Sequence, residues 1–282
     1  MAILDDRGYI PTIQIRDGCA ILYNLPAFVR NRNKDKEFKK KAYGSTVTKG
    51  VQKRVSSAID IFLQTTETKS VYNTVTGRTM DFRCGFMTMT ISDLCAWKAD
   101  ECYGKLLRPF MRVMKEKHGI NKYIWKYELQ KRGNVHYHVL IDQFVAYDRI
   151  TMAWNRLQKK HGLSDRYAER HGHFNPNSTD IHKVWQIQNI GAYLGKYLQK
   201  GNDGAKGAND TKGKVWDCST DLKRKRYTTV FVWENNDRLM ELMDVNQATV
   251  THLENCTVVR CATPEKLLTD EQNIDYCIWK YK

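Results

Sequence analysis

The sequence has no run of apolar residues that approaches the roughly 20 needed for a membrane-spanning helix. It opens with Met1-Ala-Ile-Leu-Asp-Asp, so acidic residues stand where a signal peptide carries Lys or Arg. We therefore expect a soluble, cytoplasmic protein with no membrane partner.

Cysteine occurs eight times but never in a C-x-x-C pair. This spacing argues against a zinc ribbon and against a dense disulfide scaffold. It is typical of scattered core thiols in a protein that works in a reducing compartment.

Acidic residues are few relative to basic ones, 31 Asp and Glu against 46 Lys and Arg, which gives a formal net charge of +15 over 282 residues. The hydrophobic fraction of 41% can support a folded core, so a fully disordered chain is excluded. The positive excess predicts a polyanionic partner, and nucleic acid is favoured over an anionic membrane surface. An excess of charge that serves only solubility is the third interpretation.

Internal repeats are absent, and one low-complexity stretch at 201–214 predicts a flexible loop or linker. The pattern along the chain predicts three parts. Residues 1–80 form an N-terminal elaboration of unknown role, residues 81–220 form the functional domain, and residues 221–282 form a small C-terminal extension.

Hydrophobic periodicity predicts alternating strands and helices in the functional domain. In order, they are a strand at 83–91, a helix at 93–118 that Pro109 kinks, strands at 123–130 and 135–141, a helix at 148–160, a strand at 179–185 and a helix at 187–200. This order is that of the split βαβ unit. We therefore predict an α+β fold with a ferredoxin-like antiparallel sheet and helices on one face. Outside the domain, helices are predicted at 51–62 and 236–243, and a strand at 227–234.

Two histidines, His136 and His138, alternate in the predicted strand 135–141. A strand repeats its faces every two residues, so both imidazoles project from one face. Such a pair suits a transition metal, and with an oxygen ligand added it can hold a Mg or Mn ion that activates phosphate. The structural alternative is two histidines that alternate on a half-exposed strand and bind nothing.

The third ligand depends on the register of the predicted hairpin. If a three-residue turn closes it, Gln130 faces His136 and Glu128 faces His138. Glu128 is favoured because a carboxylate is the stronger ligand for a hard metal, and Gln130 is the fallback. His182, on another predicted strand, is a third possibility.

Two tyrosines, Tyr193 and Tyr197, lie one turn apart in the predicted helix 187–200. At this spacing both hydroxyls can reach one substrate position, and Lys196 beside them can pair with a phosphate. A tyrosine has a pKa of about 10, so attack at neutral pH needs a nearby cation or base, which Lys196 and a metal can supply. The alternative is an amphipathic helix with core aromatics and solvated lysines.

Taken together, these residues resemble the HUH endonucleases, and most closely the rolling-circle replication initiators of small single-stranded DNA phages such as the microviruses. Three stretches carry the resemblance in the family's order: 86–90 (FMTMT), 128–138 (ELQKRGNVHYH) and 193–200 (YLGKYLQK). The run 213–219 (GKVWDCS) is similar to the segment that often closes these domains. The resemblance covers residues 81–219.

The resemblance implies a metal-dependent DNA nickase and strand transferase. In such an enzyme a divalent Mg or Mn ion held by His136, His138 and Glu128 polarises the scissile phosphate, and one tyrosine attacks phosphorus. The products are a 5′-phosphotyrosine and a free 3′-OH that primes synthesis. The second tyrosine serves when the strand is rejoined, and Lys196 assists at the phosphate.

The resemblance also implies partners. Single-stranded or supercoiled origin DNA is the substrate, in the cytoplasm of a bacterial host. The sequence has no G-x-x-x-x-G-K-[ST] loop, so we expect a separate, host helicase as well as a host DNA polymerase. The lysine-rich patch at 34–41 and the basic run 223–226 are candidate contacts to the DNA backbone.

Two other functions fit the same residues. A plasmid relaxase or a single-strand transposase uses the same chemistry at the same kind of site. A non-catalytic basic DNA- or RNA-binding module is the alternative from another class, and in it the histidines and tyrosines are structural.

Overall fold

The computed structural model describes residues 8–26, 49–74, 76–93, 95–130, 133–183, 214–224, 230–234 and 236–281. The chain divides into two compact units. The first consists of residues 1–39, 63–65 and 225–282, and the second consists of residues 40–62 and 66–224.

Strands and short helices alternate through the described stretches. The strands are β1 (Tyr9–Arg16), β2 (Cys19–Pro26), β3 (Lys69–Asn73), β4 (Arg78–Phe82), β5 (Gly85–Thr90), β6 (Tyr123–Leu129), β7 (Val135–Ile141), β8 (Thr179–Lys183), β9 (Trp216–Cys218), β10 (Val230–Val232), β11 (Ala248–His252) and β12 (Thr257–Cys261). The helices are α1 (Lys49–Gln64), α2 (Ala99–Cys102), α3 (Arg108–His118), α4 (Tyr147–Lys160), α5 (Asp165–His171), α6 (Thr220–Arg224), α7 (Asn236–Asp244) and α8 (Asp270–Tyr281). A π-helical turn, Tyr103–Leu107, joins α2 to α3.

The second unit is built on a five-stranded sheet in the order β8-β5-β7-β6-β9. All neighbouring strands are antiparallel. The predicted α+β class with an antiparallel sheet is therefore confirmed, and the four predicted strands of the domain correspond to β5, β6, β7 and β8. The ferredoxin-like assignment stays a prediction. The closing segment 213–219 contributes the edge strand β9, which was not predicted.

One face of this sheet packs against the helices. Its strands contribute fully buried side chains: Met87, Met89, Trp125, Tyr137 and Val139. The helical layer contributes others: Leu106, Phe110, Met114, Ile150 and Trp154. Burial of apolar side chains of this size contributes roughly 1.5–3 kcal/mol each. Because strand residues two apart share a face, this packing directs the intervening side chains of β5 and β7 to the opposite face.

The predicted helix at 93–118 begins later and is interrupted. It starts at Ala99, where the backbone N–H of Lys98 donates to the Glu101 carboxylate at 3.3 Å. The π-helical turn then comes directly before Pro109, which lies in the first turn of α3. Proline lacks an N–H and clashes inside a continuous α-helix, so the predicted irregularity at Pro109 takes the form of a widened turn.

The β6–β7 hairpin has a longer connection than the predicted three-residue turn. Leu129 pairs with Val135, so Glu128 lies opposite His136 rather than His138. The connection contains a bond from the N–H of Gly133 to the carbonyl of Gln130 at 2.8 Å, and Gly133 has φ of 91°. A positive φ is readily adopted by glycine alone, which explains where the chain turns.

The first unit has its own antiparallel sheet, in the order β10-β1-β2-β12-β11. Its core includes Ile13, Ile15 and Val259 from the strands and Leu242 from α7, with Tyr276 from α8. Residues 1–80 and 221–282 were expected to be separate appendages. In the structure, strands from both stretches form one sheet.

Other predicted elements have mixed outcomes. The helices at 51–62 and 236–243 are present as α1 and α7, and the strand at 227–234 is present as the shorter β10. The helix at 187–200 lies outside the described residues, as does the linker except for its last residue. In the stretches that the structure describes, no helix is both long enough and apolar enough to cross a membrane.

Candidate active site

Two imidazoles project from β7 on the face of the sheet opposite the helices. Tyr137, which lies between them, is fully buried in the helical core, so its neighbours point the other way. The ring centroids of His136 and His138 are 4.6 Å apart, with the ring planes at 75°. The structure therefore brings both histidines to one face, as the alternation predicts.

Strand β5 supplies a hydroxyl group to each histidine. Thr90 lies opposite His136 and Thr88 opposite His138 in the ladder. The hydroxyl of Thr90 is 2.8 Å from Nδ1 of His136, and that of Thr88 is 3.4 Å from Nδ1 of His138. Both contacts are made by Nδ1, so a metal would bind through Nε2 while the threonines orient the rings. These threonines are the two of the T-x-T motif.

A second contact holds His138 alone. The ring of Phe86 stacks on its imidazole with centroids 5.4 Å apart and planes at 11°. His138 is 7% exposed and His136 is half-buried. The pair therefore combines a deeply packed imidazole with one that remains accessible to a ligand.

Glu128 reaches the pair from β6. Its carboxylate Oε2 lies 3.0 Å from Nε2 of His138, diagonally across the ladder. The two side chains are only 12% and 8% exposed, so solvent screens their interaction weakly. Gln130, just beyond the strand, places its amide nitrogen 3.2 Å from Nδ1 of His136. Both candidate third ligands therefore lie beside the histidines, with Glu128 the more buried.

The chemistry of these donors fits a divalent cation. Two imidazoles and a carboxylate on one face are a ligand set that divalent metals accept. In the described stretches, however, no three His, Cys, Asp or Glu side chains are arranged to enclose an ion. Instead, the Glu128 carboxylate bonds to His138. An ion held by these side chains would replace that hydrogen bond.

A polar cavity of about 400 Å³ adjoins the two threonines. It is lined by Thr88, Thr90, Tyr147, Asn177, Ser178, Thr179 and Asp180. The Tyr147 hydroxyl donates to the Asn177 side-chain oxygen at 2.8 Å, which fixes an aromatic ring at the rim. The cavity offers hydroxyl, amide and carboxylate groups next to the histidines.

His182, the third candidate ligand, lies on β8 opposite Phe86. Only its position in the strand is described. On the same strand, Asp180 lies opposite Thr88 and is exposed in the cavity. Asp180 was not among the residues predicted from the sequence, although its spacing of two residues from His182 was the available signal.

Lys126 is a further residue of this face that the motifs did not reveal. It lies opposite His138 in the ladder and is 1% exposed. Its spacing of two residues from Glu128 puts it on the same face, and this spacing was visible in the sequence. A buried amine on this face is suited to lie near an anionic substrate group.

The predicted nucleophiles Tyr193 and Tyr197, with Lys196, lie outside the described residues. So does the lysine-rich patch at 34–41. Of the basic run 223–226, the side chain of Lys223 is described, and it pairs with Asp217 at 2.8 Å.

Residues 84–202 match the model of a family of replication-associated proteins, described as the ORF2 or gene II protein family. The matched stretch starts just before β5 and contains all three motifs, including both tyrosines. Comparisons with curated proteins and with solved structures give no match. The family match supports a replication-initiator role of the rolling-circle kind.

Proposed function

We propose that the protein initiates rolling-circle replication by nicking single-stranded origin DNA through a tyrosine nucleophile. The observation that carries this proposal is the imidazole pair of His136 and His138 beside Glu128, in the stretch that matches the replication-associated family. A strand-borne pair that is buried on one side and faces a polar cavity on the other is more than two chance histidines require.

The histidines, with Glu128, would hold a divalent ion, Mg²⁺ or Mn²⁺. When bound, this ion would polarise the scissile phosphate and offset the charge that builds up in the transition state. Thr88 and Thr90 orient the rings by their contacts to Nδ1. Gln130 remains the fallback for the carboxylate.

The hydroxyl oxygen of Tyr193 or Tyr197 attacks phosphorus in line with the 3′ oxygen. As the new O–P bond forms, the P–O3′ bond breaks. The tyrosine loses its proton and the 3′ oxygen gains one, so the products are a 5′-phosphotyrosine and a free 3′-OH. Lys196 offers a positive charge to the phosphate, and the second tyrosine allows a later cleavage while the first strand is rejoined.

The partners follow from this chemistry. The 3′-OH requires a DNA polymerase, and displacement of the old strand requires a helicase, both of which the bacterial host would supply. Origin DNA must present its scissile phosphate single-stranded, either directly or through supercoiling.

Covalent adducts test the proposal directly. The protein is incubated with labelled origin-containing single strands and Mn²⁺, then resolved under denaturing conditions, and the adduct is mapped by mass spectrometry. We expect adducts on Tyr193 or Tyr197, loss of adducts in Tyr193→Phe/Tyr197→Phe, and loss of metal-dependent cleavage in His136→Ala. Tyr72→Phe, at an exposed tyrosine on β3, is the matched control and should form adducts normally.

Two results would contradict the proposal. Adducts that persist in the double tyrosine variant would remove the nucleophile assignment. A folded wild-type protein that binds origin DNA in Mn²⁺ yet forms no adduct on any origin-containing substrate would be a binding module, and cleavage by His136→Ala would remove the metal assignment.

A further inference from the structure

A second cavity, of about 510 Å³, lies beside the π-helical turn and α3. Its wall includes Tyr123 and Trp125 from β6. These odd-numbered residues lie on the opposite face of the strand from Lys126 and Glu128. The cavity is therefore on the helical side of the sheet, separate from the histidines.

Three cations line this cavity, Arg108, Arg112 and Lys115. Their i, i+4, i+7 spacing places them in one stripe along α3, about 10 Å long. All three are exposed. Within the part of the chain that the structure describes, none of them has a salt bridge or side-chain hydrogen bond. Their charges are thus available to an external anion.

Aromatic rings form another part of the wall. Tyr103 and Tyr123 are both half-buried and line the cavity. The ring of Tyr103 stacks on Trp125, with centroids 5.0 Å apart and planes at 21°. A phenol ring that is already held on one side loses little freedom when a flat ligand stacks against it.

The π-helical turn contributes to the opening. A π turn contains an extra residue and recurs at functional sites. Gly104, within this turn, has no atom within 4 Å of the place where a Cβ would stand. The backbone is therefore directly accessible at the edge of the cavity.

We propose that this cleft binds a segment of single-stranded DNA away from the scissile phosphate. Neighbouring phosphates pair with Arg108, Arg112 and Lys115, and an unstacked base lies against Tyr103 or Tyr123. A volume of about 510 Å³ lies in the range of roughly 300–1,000 Å³ that holds small flat ligands. The combination of a cationic stripe with aromatic rings is that of single-strand binding sites, and a base still paired in a duplex cannot enter the cavity. The choice of DNA over other polyanions rests on the proposed function.

Binding is measured with the full chain carrying Tyr193→Phe/Tyr197→Phe, so that no adduct forms, in EDTA. Fluorescence anisotropy follows a labelled single strand over a range of salt concentrations. Arg112→Glu/Lys115→Glu tests the cleft. The matched control is Arg156→Glu/Lys160→Glu, which reverses two exposed charges one turn apart on α4.

We expect the cleft variant to bind at least about tenfold more weakly than the control. The slope of log affinity against log salt should become shallower by about 1.4, since each phosphate contact on a single strand contributes about 0.7. The control should keep the wild-type slope. Equal affinities and slopes in the two variants would overturn the proposal, as would an equal loss of binding to a duplex of the same sequence.

Photo-cross-linking supplies an independent readout. Single strands that contain 5-iododeoxyuridine should cross-link to Tyr103 or Tyr123, as mapped by mass spectrometry. Tyr103→Phe should retain the affinity, whereas Tyr103→Leu should lower it, with folding of both checked by circular dichroism. Cross-links confined to other regions would overturn the proposal. Adduct formation without cleft binding would leave the nickase intact, and cleft binding without adducts would leave only the cleft.

Discussion

At the scale of single residues, each histidine of the site is oriented by a side chain from another strand. Thr90 holds His136, while Thr88, Phe86 and Glu128 contact His138. The sequence predicts that the two histidines share a face, because alternation in one strand suffices for that. It does not predict their threonine partners, because those depend on how two strands about 50 residues apart are aligned.

Replacing Thr90 by Val should weaken metal-dependent cleavage. Valine keeps the shape of the side chain but removes the hydroxyl that contacts His136, and loss of such a partner typically costs about 10–100-fold in metal affinity or activity. The Mn²⁺ concentration for half-maximal adduct formation should rise by that factor, and calorimetric Mn²⁺ titration should show the same loss. Thr90→Ser should restore both. Wild-type values in Thr90→Val would show that the hydroxyl has no orienting role.

Two thiols near the start of α2 form another residue-scale feature. The sulfur atoms of Cys95 and Cys102 are 3.8 Å apart. The hydrogen bond with Cys102 lowers the pKa of Cys95 to about 7, against the opposing effect of its burial. The same contact, together with burial, raises the pKa of Cys102. Spacing along the chain does not reveal this pair, because six residues separate the two cysteines.

Cys95 should therefore react with iodoacetamide at unusually low pH. Because the thiolate is the reactive form, the labelling rate should rise as the pH passes through about 7, below the usual midpoint of about 8.5. Mass spectrometry of timed samples measures this rate. Cys102→Ala removes the hydrogen-bond donor and should move the midpoint upward, whereas Cys102→Ser should retain it. An unchanged midpoint in Cys102→Ala would exclude the hydrogen bond as the cause.

At the scale of secondary structure elements, the β6–β7 hairpin shows what a sequence can and cannot predict. Its strands are evident from their composition, but the turn is longer than predicted and the pairing differs by two residues. Because the shift is even, Glu128 still lies on the face of the histidines. A shift of one residue would have sent it into the helical core.

A buried amide fixes α4 to the neighbouring strands. Gln158 is fully buried, and its carbonyl oxygen accepts bonds from the backbone N–H and the hydroxyl of Ser92 at 2.8 and 3.0 Å. Its amide nitrogen donates to Asn155 at 3.2 Å and to Ser178 at 3.0 Å. Ser92 follows β5 and Ser178 precedes β8, so this one side chain supports the wall of the cavity beside the histidines.

Gln158→Leu should destabilise the protein by roughly 1–3 kcal/mol, since it leaves buried polar groups without partners. Urea unfolding measures the change in the free energy of unfolding. Arg156→Leu, at an exposed position of the same helix, is the matched control and should change it by less than about 0.5 kcal/mol. Equal effects of the two substitutions would show that the amide network contributes nothing to stability.

At the scale of the whole molecule, the net charge of +15 is not one uniform property. Some cations are neutralised locally, such as Lys214 and Lys223, which both pair with Asp217 at 2.8 Å. Others, such as Arg112 and Lys115, have no such partner in the described stretches. The polyanion expected from composition should therefore bind where the unpaired charges lie.

Affinity for single-stranded DNA should fall steeply with salt. Three phosphate contacts in the cleft alone give a slope of about −2 in log affinity against log salt, or roughly 20-fold weaker binding between 50 and 200 mM. Anisotropy titrations at several salt concentrations measure the slope. A slope near zero would mean that backbone charge contributes little to binding.

The sheet of the first unit could not be predicted from the sequence. β1 pairs with β10 at Gln14 and Val230, more than 200 residues apart along the chain. Strand propensity identifies the individual runs but not such distant partners. Treating the two ends of the chain as separate appendages followed from that limit.

This pairing has a consequence for how the protein is made. The β1–β2 hairpin leaves the ribosome early, yet Ile13 and Ile15 are covered by Leu242, Val259 and Leu267 from the end of the chain. The apolar face of the hairpin must therefore wait for most of translation before it can be buried. A chaperone or the nascent second unit has that interval in which to protect it, and release of an incomplete chain would leave an exposed, aggregation-prone hairpin.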